Sequence, residues 1–342
     1  MGGAEVFTRE IAKRWVRAGH EVTLFTSEFT NCKHEEVVDG VKIVRAGGKY
    51  SVYWKAKEYY RKRFSKEKYD VVIDEINTRP FLTPKFVNGG EKIIALIHQL
   101  AREYWFYEMS FPISWIGYHF LEERWLRNYV GIPTITVSNS TRKDLEDLGF
   151  KKVFIVQNGL NVEPISEPPE KSEKPTIIYV GRMKRAKKPQ DVIRAFEIVR
   201  QQVCDAQLWM VGDGYLRKEL EKNADNGIKF FGHVDDKKKI ELMKMAWIIA
   251  VPGIREGWGQ VVTDANALGC PAIAYNIPGL RDSVKNDHNG LLVDTNIGAL
   301  AQAIIGLLTD DQRREDMIRN AMEWASRYSW DKSALEFERI VQ

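Results

Sequence analysis

The sequence predicts an α/β protein made of two doubly wound domains, and three observations lead there. Short β-branched runs such as Ile177-Ile178-Tyr179-Val180 are apolar without alternation, the pattern of parallel strands covered by helices on both faces. Between them lie stretches of helical period. Phe7, Ile11, Trp15 and Ala18 share one face, and Val192, Ala195, Phe196 and Val199 share another after Pro189. Strand and helix alternating in this way build βαβ units. Finally, residues 160–175 hold Pro164, Pro168, Pro169 and Pro175 among alternating charges, which reads as a linker between two such series.

Each element follows in order. Strands are expected at 21–26, 41–46, 69–74, 92–98, 134–137 and 153–156 in the first domain. In the second they are expected at 176–180, 207–211, 229–232, 247–251, 272–275 and 290–293. The boundaries are then 1–159 for the N-terminal domain, 160–175 for the linker and 176–328 for the second domain, with a closing helix over 329–342. Ligands of doubly wound sheets bind outside the carboxyl ends of the strands, so a cleft between the domains is the expected site. The chain opens in a Gly2-Gly3 turn that runs straight into a helix. A doubly wound sheet normally places a strand before such a turn, so the first strand of the N-terminal domain is expected to be missing.

Composition narrows the function. With 342 residues, 44% of them hydrophobic, the chain can bury two cores. A net charge of +4 is too balanced for a dedicated nucleic-acid binder. Cys32, Cys204 and Cys270 are scattered without C-x-x-C, which argues against a disulfide framework or a zinc site and fits a reducing, cytoplasmic setting. No apolar run approaches the roughly 18 residues of a membrane span.

The chemistry-bearing segments fall at strand ends. Gly181-Arg182 and Lys187 close one strand and open a helix; amides at a helix N-terminus with Arg and Lys beside them form an anion site, or else a solvated basic loop. Gly212-Asp213-Gly214 is a tight strand-to-helix turn, and Phe230-Phe231-Gly232-His233-Val234 ends another strand at the same edge, where His233 reads as a surface or capping histidine. Glu256-Gly257-Trp258-Gly259 is a carboxylate in a glycine-rich loop, and Asp264 follows on the next helix. Such carboxylates accept from sugar hydroxyls; the plainer alternative is a helix cap and a surface pair. His98 ends a first-half strand, either at a site or buried as a structural group.

Taken together, these pieces resemble the family-4 glycosyltransferases of the group 1 type, which have the GT-B fold. The resemblance rests on Gly2-Gly3-Ala4-Glu5, Ala18-Gly19-His20-Glu21-Val22, Ile97-His98, Val137-Ser138-Asn139-Ser140, Asn158-Gly159, the second-half segments above, Pro278-Gly279-Leu280 and Asn289-Gly290-Leu291-Leu292-Val293. It implies a retaining, metal-independent hexosyltransferase that needs no cofactor beyond its nucleotide-sugar substrate. GDP-mannose or UDP-glucose would be typical donors, and a glycan or lipid-linked saccharide the acceptor. By the same resemblance Arg182, Lys187 and Gly3 would meet the donor diphosphate. Glu256 and the amides of Gly257, Trp258 and Gly259 would meet the sugar and phosphates. Asp264 would take the ribose, the backbone at Val234 the base, and His98 would stand on the acceptor side as a catalytic group with Glu256. The closing helix would pack back on the first domain. One departure is Asp264, where the family usually has Glu. A nucleotide-sugar epimerase or hydrolase, or a weakly active nucleotide-sugar binding protein, are the alternatives.

Two segments bear on the acceptor. Residues 49–68 are strongly basic, with Lys55, Lys57, Arg61, Lys62, Arg63, Lys66 and Lys68, while Tyr53, Ala56, Tyr60 and Phe64 share a helical face. Such a helix would bind an anionic membrane peripherally, or simply cover the sheet with its aromatic face. The aromatic stretch 104–118 follows His98 and is expected to shape the acceptor site.

Overall fold

The computed structural model describes residues 2–342. It divides into two compact units. Unit 1 holds the residues up to Arg102, Pro112–Gly159 and Ser329–Gln342, and unit 2 holds Glu103–Phe111 and Leu160–Tyr328. Two pieces therefore leave their place in the chain order: Glu103–Phe111 sits with unit 2 instead of the rest of 1–159, and the final helix sits with unit 1.

Among the described residues unit 1 carries seven strands in two sheets. Strands β1 (Thr23–Thr26), β2 (Glu35–Val38) and β3 (Val41–Arg45) form the order β1-β3-β2, with β2 antiparallel. Strands β4 (Val71–Glu75), β5 (Lys92–Leu96), β6 (Thr134–Thr136) and β7 (Val153–Ile155) form a parallel sheet in chain order. Among the described residues no strand bridges β1 and β4, so each presents an edge. Strand β2 was not expected from the sequence. Glu35 and Glu36 interrupt its apolar pattern, and it is held as one arm of a hairpin.

Helix Gly3–Arg17 covers the unit with Phe7 and Ile11 buried, while Ala18 is the exposed C-cap rather than part of the buried face. The last helix, Trp330–Val341, lies on it. Phe7 meets the Trp330 ring edge-on at 5.7 Å, and Trp15 meets Phe337 at 4.9 Å. Arg14 Nε reaches Asp331 at 2.5 Å, and Ser333 Oγ donates to the Gln157 carbonyl at 2.6 Å.

Unit 2 is one six-stranded parallel sheet: β8 (Thr176–Val180), β9 (Gln207–Val211), β10 (Ile228–Gly232), β11 (Ile248–Val251), β12 (Ala272–Tyr275) and β13 (Gly290–Val293) in the order β10-β9-β8-β11-β12-β13. Four of the six match the expected strands residue for residue. Their core residues Ile177, Ile178, Leu208, Ile249 and Ile273 are fully buried, as the unbroken apolar runs require.

Residues 160–175 form no helix or strand, but they are fastened to unit 2. Ile165 N donates to the Ala267 carbonyl at 3.1 Å. Lys171 Nζ donates to the carbonyls of Lys244, Ala246 and Gly269 at 2.7–2.9 Å. Gly269, with φ +70°, leaves room for Pro169; a Cβ there would stand 2.6 Å from the proline ring. The proline-rich run is a strap instead of a loose tether.

Candidate active site

In unit 2 the strand order reverses between β8 and β11. The chain leaves β8 toward β9 and β10, then returns to β11 on the other side. Loops that follow two such strands diverge and leave a crevice at the carboxyl edge of the sheet, where ligands of open α/β sheets bind. The loop after β8 is Gly181–Lys188 and the loop after β11 is Pro252–Gly259. These are the loops that carry Arg182, Lys187 and Glu256.

Local chemistry fixes both loops. Helix Pro189–Arg200 starts at Lys188, which takes left-handed φ +48° ahead of a proline suited to the first turn. Gly212 and Gly214 let the β9 turn lie against the β8 loop; a Cβ on Gly212 would stand 2.0 Å from the Gly181 carbonyl oxygen, and one on Gly214 2.3 Å from that of Met183. Ile254 N donates to the Ala186 carbonyl at 3.2 Å, tying the β11 loop to the β8 loop. Glu256 N donates to the Pro278 carbonyl at 3.1 Å. The glycine of Pro278-Gly279 has φ +84° and passes directly under Glu256.

The result is an ion pair between Lys187 Nζ and Glu256 Oε1, both mostly buried. Tyr179 donates to the Arg182 carbonyl at 3.1 Å, and burial raises its phenol strongly, helped by the nearby Glu256 charge. The Arg182 side chain is exposed at the same edge. Helix Gln260–Ala267 starts after Gly259, which has φ +85° and abuts Ser283. The Trp258 side chain turns away from this edge. It is 3% exposed and stacks edge-on against Tyr328 at 5.2 Å, so only its backbone faces the loop. Val234 packs its side chain on the core after β10.

Asp264 is 7% exposed and already engaged. It accepts from Asn161 N at 2.9 Å, Asn161 Nδ2 at 3.1 Å and Gln260 Nε2 at 3.0 Å. Burial raises its carboxyl to about 6 against these bonds. The carboxylate thus anchors the start of the strap on the helix after β11.

The acidic lining of the basic loop is not legible in the sequence, because Glu103 and Glu108 lie about eighty residues or more before the groups they meet. The short helix Tyr104–Glu108 lies on Arg185–Lys187. Glu108 Oε1 accepts from Ala186 N at 3.3 Å and stands 3.6 Å from Lys184 Nζ, which sits 4.9 Å above the Tyr104 ring. Glu103 accepts from Arg255 Nε at 3.1 Å. Part of the stretch assigned to an acceptor site thus packs beside the Arg182–Lys187 loop, while Phe111 and Trp115 remain exposed.

In unit 1, His98 follows β5 at the carboxyl edge of the β4–β7 sheet, and Gly3 opens the helix whose Phe7 and Thr8 meet His98 and Glu75 there. Gly2 caps helix Gly3–Arg17, and its N–H donates to Glu5 at 2.8 Å. A Cβ on Gly3 would meet nothing within 4 Å, so internal packing does not require glycine there. His98 is 8% exposed, edge-on to Phe7 at 5.0 Å, and its Nε2 stands 3.8 Å from Glu75 Oε1. The basic helix region divides its faces as its aromatics imply. Ala56, Tyr60 and Phe64 are buried with Val44 and Phe86, while Lys55 and Lys62 pair with Glu58, and Arg63 pairs with Glu35 and Glu67. The aromatic face is therefore committed to the core. No helix among the described residues is long and apolar enough to cross a membrane.

The family described as glycosyl transferases group 1 matches residues 161–324, and glycosyltransferase family 4 matches residues 1–164. The chain belongs to the family-4, group 1 glycosyltransferases. A phosphatidyl-myo-inositol mannosyltransferase of Mycobacterium leprae is 31% identical over 229 residues, 64% of this chain and 60% of that protein. The match thus spans about 60% of that relative's length. The GT-B fold is shared with sucrose-phosphate synthase from Thermosynechococcus elongatus, with TM-score 0.79 and 20% identity over 99% of this chain and 92% of the other. It is shared also with Anabaena HepE, solved in complex with UDP and glucose, with TM-score 0.72 and 18% identity over 99% of this chain and 95% of that one.

Proposed function

We propose that this glycosyltransferase moves a hexosyl group from a nucleoside-diphosphate sugar to an alcohol hydroxyl, with retention at the anomeric carbon. The observation that carries the reading is the convergence of Lys187 and Glu256, with Arg182 beside them, at the switch point of the unit 2 sheet. Breaking a sugar–phosphate bond requires a stabilised diphosphate and a stabilised, electron-poor sugar ring. Arg182 and Lys187 would neutralise the departing diphosphate, so charge compensation would come from side chains rather than a metal ion. Diphosphate would draw Lys187 from Glu256. The released carboxylate would then accept from hydroxyls of the transferred sugar, and the amides after Glu256 would line its other side.

Asp264 is assigned to the ribose through the lone pairs its three present donors leave, and the backbone at Val234 to the base. On unit 1, the amino end of helix Gly3–Arg17 offers amides at Gly3 to an anion, and His98 serves the acceptor. The Mycobacterium relative's name and the UDP–glucose complex of HepE support GDP-mannose and UDP-glucose as the first donors to try, with a saccharide or lipid-linked polyol as acceptor.

The test is thermal stabilisation by UDP-, GDP- and ADP-sugars and the free diphosphates, with and without chelator. One nucleotide series should stabilise the protein by about 2.7 kcal/mol at one hundred times Kd. Adding the correct sugar should extend the shift in wild type and not in Glu256→Ala. No shift with any nucleotide, or a shift abolished by EDTA, refutes the corresponding part of the proposal.

A further inference from the structure

Two adjacent carboxylates end β4, and they have opposite fates. Asp74 is 1% exposed and spent on structure. It accepts from Phe81 N at 3.3 Å, Thr83 N at 3.2 Å, Thr83 Oγ1 at 2.9 Å and the Tyr129 hydroxyl, which pins the loop after the strand. Glu75 points to the other face, as strand alternation requires. Thr8 Oγ1 donates to its Oε2 at 2.6 Å, and the Asn77 side chain adds a hydrogen bond. Its Oε1 stands 3.8 Å from His98 Nε2, beyond hydrogen-bond length. That nitrogen is buried and has no hydrogen-bond partner among the described residues. A buried polar atom in that condition is destabilising unless something meets it.

We propose that Glu75 and His98 together form the seat of the acceptor hydroxyl, with Thr8 as the residue that positions Glu75, and that the ligand is an alcohol of a sugar or polyol. An oxygen within hydrogen-bond reach of both Oε1 and Nε2 closes the 3.8 Å gap. With one proton on the pair, either on the carboxyl with Nε2 bare or on Nε2 beside the carboxylate, the two atoms offer one donor and one acceptor, and the oxygen donates to one and accepts from the other. A hydroxyl does both. An ammonium group cannot accept, and a phosphate or carboxylate would face Glu5 and Glu75. Burial together with Glu5 holds the Glu75 carboxyl near 7, and burial lowers the His98 imidazole to about 4. Near neutral pH the histidine is therefore uncharged, and the carboxyl has a proton to share.

The inference rests on the transferase reading, in which His98 serves the acceptor, and adds the residue that completes its site. The test uses the full chain with glycerol, glucose and myo-inositol as probes, read by the ¹⁵N resonances of the His98 imidazole. At least one probe should shift the Nε2 signal saturably. The apparent Kd should rise about tenfold in Glu75→Ala and about threefold in Thr8→Val, and Glu75→Gln should restore it to within about threefold. If Glu75→Ala fails to fold, Thr8→Val and Glu75→Gln carry the comparison. No shift with any probe, as when only water bridges the pair, overturns the proposal; so does an affinity indifferent to Thr8 and Glu75. Nucleotide-induced stabilisation, measured in parallel, should be the same in every variant. Its absence in wild type with the polyol shift intact would overturn the transferase reading and leave the hydroxyl site standing.

Discussion

Lys187 and Glu256 each supply the other's counter-charge while mostly buried, so removing either leaves an uncompensated ion. The two variants should differ nonetheless. Lys187→Ala should weaken binding of the free diphosphate, whereas Glu256→Ala should spare it and lower kcat by about 10²–10³. Isothermal titration and steady-state kinetics separate the two. His98 and Glu75 give a second prediction. A buried acid whose carboxyl is raised from 4.5 to about 7 makes stability fall as pH rises between those values. A buried imidazole lowered from 6.5 to about 4 makes stability rise over its own window. The two slopes oppose and largely cancel between pH 4.5 and 6.5. Glu75→Gln should expose the histidine slope and His98→Gln the carboxyl slope, each about 1.4 kcal/mol per pH unit, measured as urea midpoints against pH. The sequence displayed His98, Arg182, Lys187 and Glu256 because each ends or follows an apolar strand. It did not display Glu75, which lies one residue past the expected strand 69–74; only the register of β4 turns Asp74 to Tyr129 and Glu75 toward His98.

Glycine carries much of the placement of the elements. Gly279 sits at φ +84°, and a Cβ would stand 2.1 Å from the Glu256 carbonyl oxygen. Gly279→Ala should therefore move the Glu256 loop as well as destabilise the protein. We expect a loss of at least about 1–3 kcal/mol together with weakened sugar-dependent stabilisation, checked by urea unfolding and the nucleotide-sugar panel. The strands of unit 2 were legible because burial on both faces leaves unbroken apolar runs. Strand β2 was not, because an antiparallel arm with Glu35 exposed is fixed by its partner β3 rather than by its own pattern. The strap over 160–175 was legible as irregular chain. Its fastening was not, since the three carbonyls that hold Lys171 come from Lys244, Ala246 and Gly269.

At the scale of the whole molecule, the backbone passes between the units at Arg102/Glu103, Phe111/Pro112, Gly159/Leu160 and Tyr328/Ser329. Unit 1 depends on the last of these passages, because Trp330 and Phe337 complete the core around Phe7 and Trp15. Phe337, 2% exposed, should cost about 3–5 kcal/mol when truncated to alanine, seen as a lower urea midpoint for signals from unit 1. The short helix Tyr104–Glu108 has a different consequence, for recombination. A chimera joined at residue 160 would bring the second half under a foreign 103–111. Lys184, Ala186 and Arg255 would then face side chains from another parent in place of Tyr104, Glu108 and Glu103. Halves of this protein are exchangeable as cassettes only when those nine residues travel with the half they touch rather than the half that encodes them.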